Sequence, residues 1–278
     1  MGLIKWPDMK LRRAHVRRVT NETRIALNLN LDGKGQASVK TGIPFFDHML
    51  TLFAKHAVVN LRLRCQGDLA VDAHHTVEDC GLALGQAFAH ALGDKKGIRR
   101  YGAGFEPRNP SSTATNKFRY VVQSAGRARH SVRAAARRQL SERRARSDAP
   151  YHVSKFVCHS TSAESYVPMD ECLARCVIDF SGRPCLIWRG LDDFAYKSLS
   201  KAQKSQDLST AFRFGLAREF FQGFANQARC TLHLELLYGD EPHHIVEALF
   251  KAFAKAVDVA CQQDARIAGR LPTTKGKL

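Results

Sequence analysis

At 278 residues, with 44% hydrophobic and 25% charged side chains, the chain is long enough for a full globular core, and no apolar run reaches membrane-spanning length. Eight cysteines without a C-x-x-C pair exclude a small disulfide scaffold and read as reduced thiols in a cytoplasmic setting. The formal charge of +17 suits nucleic acid or a small anionic substrate, but no interleaved aromatics or recognisable binding motif accompany it, which disfavours nucleic acid.

In chain order, Arg12 to Leu31 reads as strand, alternating polar and apolar from Thr23 onward. Asp32-Gly33 is read as a hairpin turn and Gln36 to Lys40 as the start of the return strand. Glu22, the one carboxylate in this basic stretch, reads on its own as a solvated strand residue paired with an Arg. A helix opens near Gly42-Ile43-Pro44 and runs towards His56, carrying Asp47 and His48, and Val58 to Cys65 is a strand closed by Gly67-Asp68. His74-His75-Thr76-Val77-Glu78-Asp79 then opens an amphipathic helix that ends at a Gly93 cap.

From Ala103 to Tyr166 the character changes. This stretch holds 12 Lys/Arg against 4 Asp/Glu with little periodicity, and is read as a basic insertion. It could be disordered or loosely helical (Arg133 to Arg146 could form a basic helix), or it could be retained non-coding sequence. Order returns with strands over Leu173–Phe180 and Cys185–Trp188 around the turn Ser181-Gly182-Arg183-Pro184. After an ambiguous polar stretch come a helix over Leu216–Ala228, a strand over Thr231–Tyr238 carrying His233, and a second His-His-x-x-Glu helix from His243-His244-Ile245-Val246-Glu247. The halves therefore repeat, which predicts an α+β fold made by tandem duplication. Each half would be a mostly antiparallel four-stranded sheet with two helices on one face, residues 11–102 and 167–278, separated by the 103–166 insertion.

On a helix, residues three and four apart share a face, so both histidines and the glutamate of each motif are expected on one side. Neutral imidazole and carboxylate suit Zn, Mn or Fe, and two copies of the motif point to a metal centre. A di-iron carboxylate protein is a poorer fit, because its motif runs Glu-x-x-His on a four-helix bundle and strands are abundant here.

The chain resembles the imidazoleglycerol-phosphate dehydratase family of histidine biosynthesis. The resemblance rests on Arg-Val-Thr-Asn-Glu-Thr (18–23), Phe-Phe-Asp-His-Met-Leu (45–50), Asp-Ala-His-His-Thr-Val-Glu-Asp (72–79) and Gly-Ile-Arg-Arg-Tyr-Gly (97–102). Pro-Met-Asp-Glu (168–171), Ser-Gly-Arg-Pro (181–184), Thr-Leu-His (231–233), His-His-Ile-Val-Glu-Ala-Leu-Phe-Lys (243–251) and Pro-Thr-Thr-Lys-Gly (272–276) complete it. It implies a duplicated fold of the ribosomal-protein-S5-domain-2 type, two Mn2+ ions per active site, and sites formed between subunits of a homo-oligomeric 24-mer. The matching metal positions are His48, His74, His75, Glu78, His233, His243, His244 and Glu247. Glu22 matches the acid/base residue, which reverses its bland reading, and Glu247 is a second candidate for proton transfer. Arg100, Arg183, Lys251, Thr273 and Lys275 match the residues that hold the substrate phosphate, Thr273 standing where the family usually has Ser. The implied reaction is metal-assisted loss of water from imidazole glycerol phosphate to give imidazole acetol phosphate. The insertion, and the divergent stretch before Glu219-Phe220-Phe221, leave two alternatives open: an impaired relative whose assembly is blocked, or a basic nucleic-acid-binding protein.

Overall fold

Why the chain turns back after Val19 is written in two threonines. Thr20 Oγ1 accepts from the backbone N–H groups of Glu22 and Thr23, a side-chain-stabilised turn that splits the expected long strand in two. In the computed structural model, which describes residues 11–103, 165–191 and 212–278, the result is β1 (Arg13–Val19) antiparallel to β2 (Thr23–Asn30). The predicted hairpin at Asp32-Gly33 does not form. β3 (Ala37–Lys40) pairs in parallel with β4 (Asn60–Gly67) instead of returning along β2. The connection crosses the start of β4, where Asn60 Oδ1 accepts from the Lys34 and Gln36 N–H groups and a Cβ on Gly33 would lie 2.2 Å from Asn60 N. Backbone contact, not turn chemistry, decides the path.

α1 (Pro44–His56) starts with Pro at its first turn and buries Phe46, Met49, Leu50, Phe53 and Ala54, the 3–4 spacing of one apolar face. α2 (His74–Leu92) ends at Gly93, whose φ of 55° is the positive angle expected of a glycine cap. The second half contains β7 (Cys172–Asp179), β8 (Cys185–Arg189), α3 (Phe214–Ala228), β9 (Thr231–Tyr238) and α4 (Pro242–Cys261). Sheet order β1-β2-β4-β3, with β3 parallel to β4, is matched by β7-β9-β8, with β8 parallel to β9. The duplication read from the sequence is therefore a duplication of topology.

The counterpart of β1 is made of two pieces. β5 (Tyr101–Ala103) pairs with residues 177–179 of β7, and β6 (Ser165–Met169) pairs with residues 172–176. Ala103 lies opposite Val177 and Ser165 opposite Cys176, so the two pieces occupy successive rungs of one ladder. The insertion departs from, and returns to, the middle of what is otherwise a single edge strand. Its interior, including Arg133–Arg146, lies outside the described residues, as does most of the polar stretch before α3. Both halves fall within one compact unit.

The helices fill the space between the two sheets, α2 packing on α3 and α1 on α4. Aromatic rings fill this layer: Phe53 stacks on Phe253 at 5.1 Å, Phe88 meets Phe224 edge-on at 5.3 Å, and Phe46 meets Phe220 edge-on at 5.5 Å. The α2–α3 contact depends on missing side chains, since a Cβ on Gly81 would lie 2.3 Å from the carbonyl oxygen of Phe220. Gly81→Ala is therefore expected to lower stability by about 2 kcal/mol in a denaturant titration, overpacking outweighing the better helix propensity of Ala. Gly215→Ala on α3 meets nothing within 4 Å and should be neutral or slightly stabilising. Equal effects at the two positions would refute the close-packing account.

Candidate metal centre and phosphate site

Each His-His-x-x-Glu motif sits on the first turn of its helix, but its side chains do not share one face. The first His and the Glu approach one another: His74 Nε2 to Glu78 Oε2 is 3.5 Å, and His243 Nε2 to Glu247 Oε2 is 3.4 Å. The second His turns nearly perpendicular to the first, with interplanar angles of 88° and 81°, and faces other carboxylates. Adjacent residues on a helix diverge by about 100°, so a true triad needs more than the spacing the sequence offers.

His75 and His244 have matching environments. Nδ1 of His75 lies 3.0 Å from Asp68 Oδ2, while its Nε2 faces Glu22 Oε1 at 3.7 Å. Nδ1 of His244 lies 2.9 Å from Glu171 Oε2, while its Nε2 faces Asp170 Oδ2 at 3.6 Å. The hydrogen bonds to Asp68 and to Glu171 hold both imidazoles above their ordinary pKa. Glu171 in turn is pulled down to about 2 by hydrogen bonds from the Cys172 thiol and from His244.

His48 joins the second motif across the halves, its Nε2 3.9 Å from Glu247 Oε2, and its neighbour Phe45 rests edge-on against His243 at 5.0 Å. Glu247 is buried, with Lys251 Nζ 2.7 Å from its other oxygen. Burial pulls its pKa upward, but the Lys251 hydrogen bond and charge prevail and leave it lowered, hence ionised. His233 is elsewhere. It is exposed on the face of β9 opposite the helices, between Val177 and Ile187 on the neighbouring strands. Strand alternation forces this, because Leu232 and Leu234 take the core face. The eight donors thus do not converge in one chain, and among the described residues no group of three or more His, Cys, Asp or Glu is arranged to hold an ion. The donor types themselves, imidazole and carboxylate, suit Mn2+.

The phosphate candidates also divide. Arg100 is buried, not a surface charge: Nε and Nη2 donate to Asp179 at 2.7 and 3.1 Å, and Nη1 donates to the Pro272 carbonyl at 2.8 Å. It thereby fastens the C-terminal segment, in which Thr273 Oγ1 accepts from the Lys275 N–H, to the second sheet. Arg183 is exposed on the turn beside Gly182, where an added Cβ would lie 2.5 Å from the backbone of Leu278. Lys251 is at the other end of that sheet, 3.2 Å from Met169 Sδ. The strand length between Met169 and Arg100, measured along their partner β7, is on the order of 20 Å. That exceeds the span of an imidazole joined to a three-carbon phosphate ester.

Asp68, Asp79 and Glu171 were not singled out from the sequence, although each lies in or beside a quoted motif. Asp79 is buried and binds Arg18 Nε at 3.0 Å and the Thr23 hydroxyl, which anchors the β1–β2 turn carrying Glu22 next to α2. A carboxylate immediately after a metal motif could have been suspected as an anchor; Asp68 and Glu171 needed the fold.

The chain is similar to known proteins over nearly all of its length. The profile of the family described as imidazoleglycerol-phosphate dehydratase matches residues 41–145 and 158–257. The imidazoleglycerol-phosphate dehydratase of Aromatoleum aromaticum is 40% identical over 96% of this chain and 100% of its own. That of Polaromonas sp. is 41% identical over 98% of this chain and 97% of its own. The crystal structure of the Staphylococcus aureus imidazoleglycerol-phosphate dehydratase superposes with a TM-score of 0.57 at 26% identity, covering 91% of this chain and 99% of that one. Together with the duplicated topology and the paired His-His-x-x-Glu helices, these matches place the chain in the imidazoleglycerol-phosphate dehydratase family.

Proposed function

We propose that this chain is a hydro-lyase that removes water from imidazole glycerol phosphate to give imidazole acetol phosphate in histidine biosynthesis. The observation that carries the reading is the pair of His-His-x-x-Glu helices at equivalent places in the two halves, in a chain 40% identical to a named dehydratase over 96% of its length. We further propose two Mn2+ ions held by His48, His74, His75, Glu78, His233, His243, His244 and Glu247. When bound, they would supply Lewis-acid stabilisation of the deprotonated substrate imidazole.

The chain's own groups do the rest. Glu22, on an exposed turn facing His75, is free to take a proton from the substrate carbon and return one to the departing hydroxyl. Glu247, buried and ionised against Lys251, is suited to fixing charge more than to shuttling protons. Thr273 and Lys275 lie in the C-terminal segment fastened by Arg100, Arg183 on the turn whose Gly182 abuts Leu278, and all three residue types suit a phosphate dianion.

Two separations support a site completed by another copy of the chain: His233 on the outer sheet face, and the distance between the Lys251 end and the Arg100 end of the second sheet. A closed homo-oligomer would bring one chain's helix starts to another chain's outer strand and tail; the 24-mer is proposed on the family resemblance. A cytoplasmic, reducing setting is consistent with seven described cysteines, none in a disulfide, and no helix among the described residues is long and apolar enough to cross a membrane.

The test is to purify the chain, measure its mass in solution and its manganese per chain, and follow imidazole acetol phosphate formation. Two Mn2+ per chain with turnover by an oligomer is the expected result. Metal-free protein after manganese supply, or turnover by a monomer, would overturn the reading.

A further inference from the structure

We infer that Asp68 and Glu171 are a matched pair of positioning residues that set the ring orientation and tautomer of His75 and His244 for metal binding. The inference rests on the metal reading above. A ligating imidazole binds through one ring nitrogen, and the other N–H is commonly held by a carboxylate that fixes the ring and raises its basicity. Here both second-position histidines place Nδ1 on a carboxylate, at 3.0 Å for Asp68 and 2.9 Å for Glu171. Both leave Nε2 beyond hydrogen-bonding distance of its facing carboxylate, at 3.7 and 3.6 Å. An Nδ1–H held in this way leaves the Nε2 lone pair available to an ion.

The two carboxylates do not descend from equivalent positions. Asp68 follows β4 in the Gly67-Asp68 turn, whereas Glu171 lies in the β6–β7 turn, and the residue matching Asp68 in the second half would be Asp240. The same contact is thus reached from two unrelated places in the duplicated fold, as expected where the contact itself is what is needed.

A stability role explains Asp68 poorly. Its Oδ1 is buried without a hydrogen-bond partner among the described residues, an arrangement that costs free energy and that a purely structural carboxylate would avoid. Glu171 is better supported: Oε1 accepts from the Glu241 N–H at 3.2 Å and from the Cys172 thiol at 3.0 Å, and Oε2 is left for His244. That braces the carboxylate against the start of α4.

The experiment uses the intact chain and its near-isosteric variants Asp68→Asn and Glu171→Gln, titrated with Mn2+ alone by the loss of the free-ion electron paramagnetic resonance signal. Melting temperature is recorded with and without the metal. Each variant should bind Mn2+ about 10-fold or more weakly, within the 10–100-fold range typical of lost outer contacts. The metal-free melting temperature should stay put, while the increase on adding Mn2+ shrinks. Asp68→Ala and Glu171→Ala should show the larger loss of the two series. Unchanged affinity in all four variants, with tight binding by the parent chain, overturns the assignment and leaves the metal reading intact. A fall in metal-free melting temperature that accounts for the whole loss of affinity also overturns it, in favour of a structural role. A parent chain that takes up no Mn2+ overturns both.

Discussion

Glu22→Gln is expected to reduce turnover of imidazole glycerol phosphate by about 10²–10⁴-fold, the usual contribution of a positioned acid/base group, while manganese content is unchanged. The substitution keeps shape and removes only the ability to exchange a proton. Glu22 is exposed, and the turn that presents it is held by other groups: the Thr20 hydroxyl bonds and the buried Asp79 anchor. Stability should therefore move by no more than about 0.5 kcal/mol. The decisive measurements are kcat and KM on the purified protein with metal analysis of the same sample. Retained kcat with full metal content would remove Glu22 from the mechanism and leave Glu247, despite its Lys251 partner, as the remaining carboxylate to test. Loss of metal together with activity would instead recast Glu22, which faces His75 at 3.7 Å, as a ligand.

Excision of residues 104–164, joining Ala103 directly to Ser165, is expected to leave the fold intact and raise stability. The register demands no adjustment, since the two residues already face Val177 and Cys176 in one antiparallel ladder. By the logarithmic loop law, closing a connection of roughly sixty residues costs about 3.6 kcal/mol, so a gain of up to about 4 kcal/mol is the scale to look for. Denaturant unfolding of the two proteins measures it, and solution mass and turnover report whether assembly survives. The excised chain should also lose much of its affinity for nonspecific polyanions, because the segment carries 12 Lys/Arg against 4 Asp/Glu. An excised chain that fails to fold would show that the insertion supports the edge strand. Dehydratase activity lost in a folded excised chain would show that the segment contributes to the active site or to its assembly.

Periodicity was enough to locate most elements. The Thr231–Tyr238 strand matches to the residue, and both His-His-x-x-Glu helices, α1 and the Gly93 cap fall where apolar spacing and punctuation put them. What failed was pairing. Asp32-Gly33 has the composition of a hairpin, yet β3 pairs with β4, because the contacts that redirect it come from Asn60, far along the chain. The split of the first strand was visible in principle, since Thr-Asn-Glu-Thr is turn chemistry that the run of alternation concealed.

The site was legible as residue types and not as geometry. His-His-x-x-Glu suggested three donors on one face, whereas the second imidazole of each pair is claimed by a carboxylate from another element. Arg100, matched by resemblance to the residues that hold the substrate phosphate, is a buried clamp on the tail. His233 could be placed on a strand from sequence, but its outward direction follows from which alternate residues the core takes.

The packing of α2 on α3 and of α1 on α4 has one more consequence. Exchanging the two halves converts each of these contacts into the other, so the layer has the self-complementary character of an interface between identical partners. One donor set spans it, because His48 comes from the first half while His243 and Glu247 come from the second. An ion held by all three would act as a clasp between the halves, favouring their joined state by its binding free energy and making heat resistance depend on metal concentration. Loading such an ion and locking the two halves together would be thermodynamically one process.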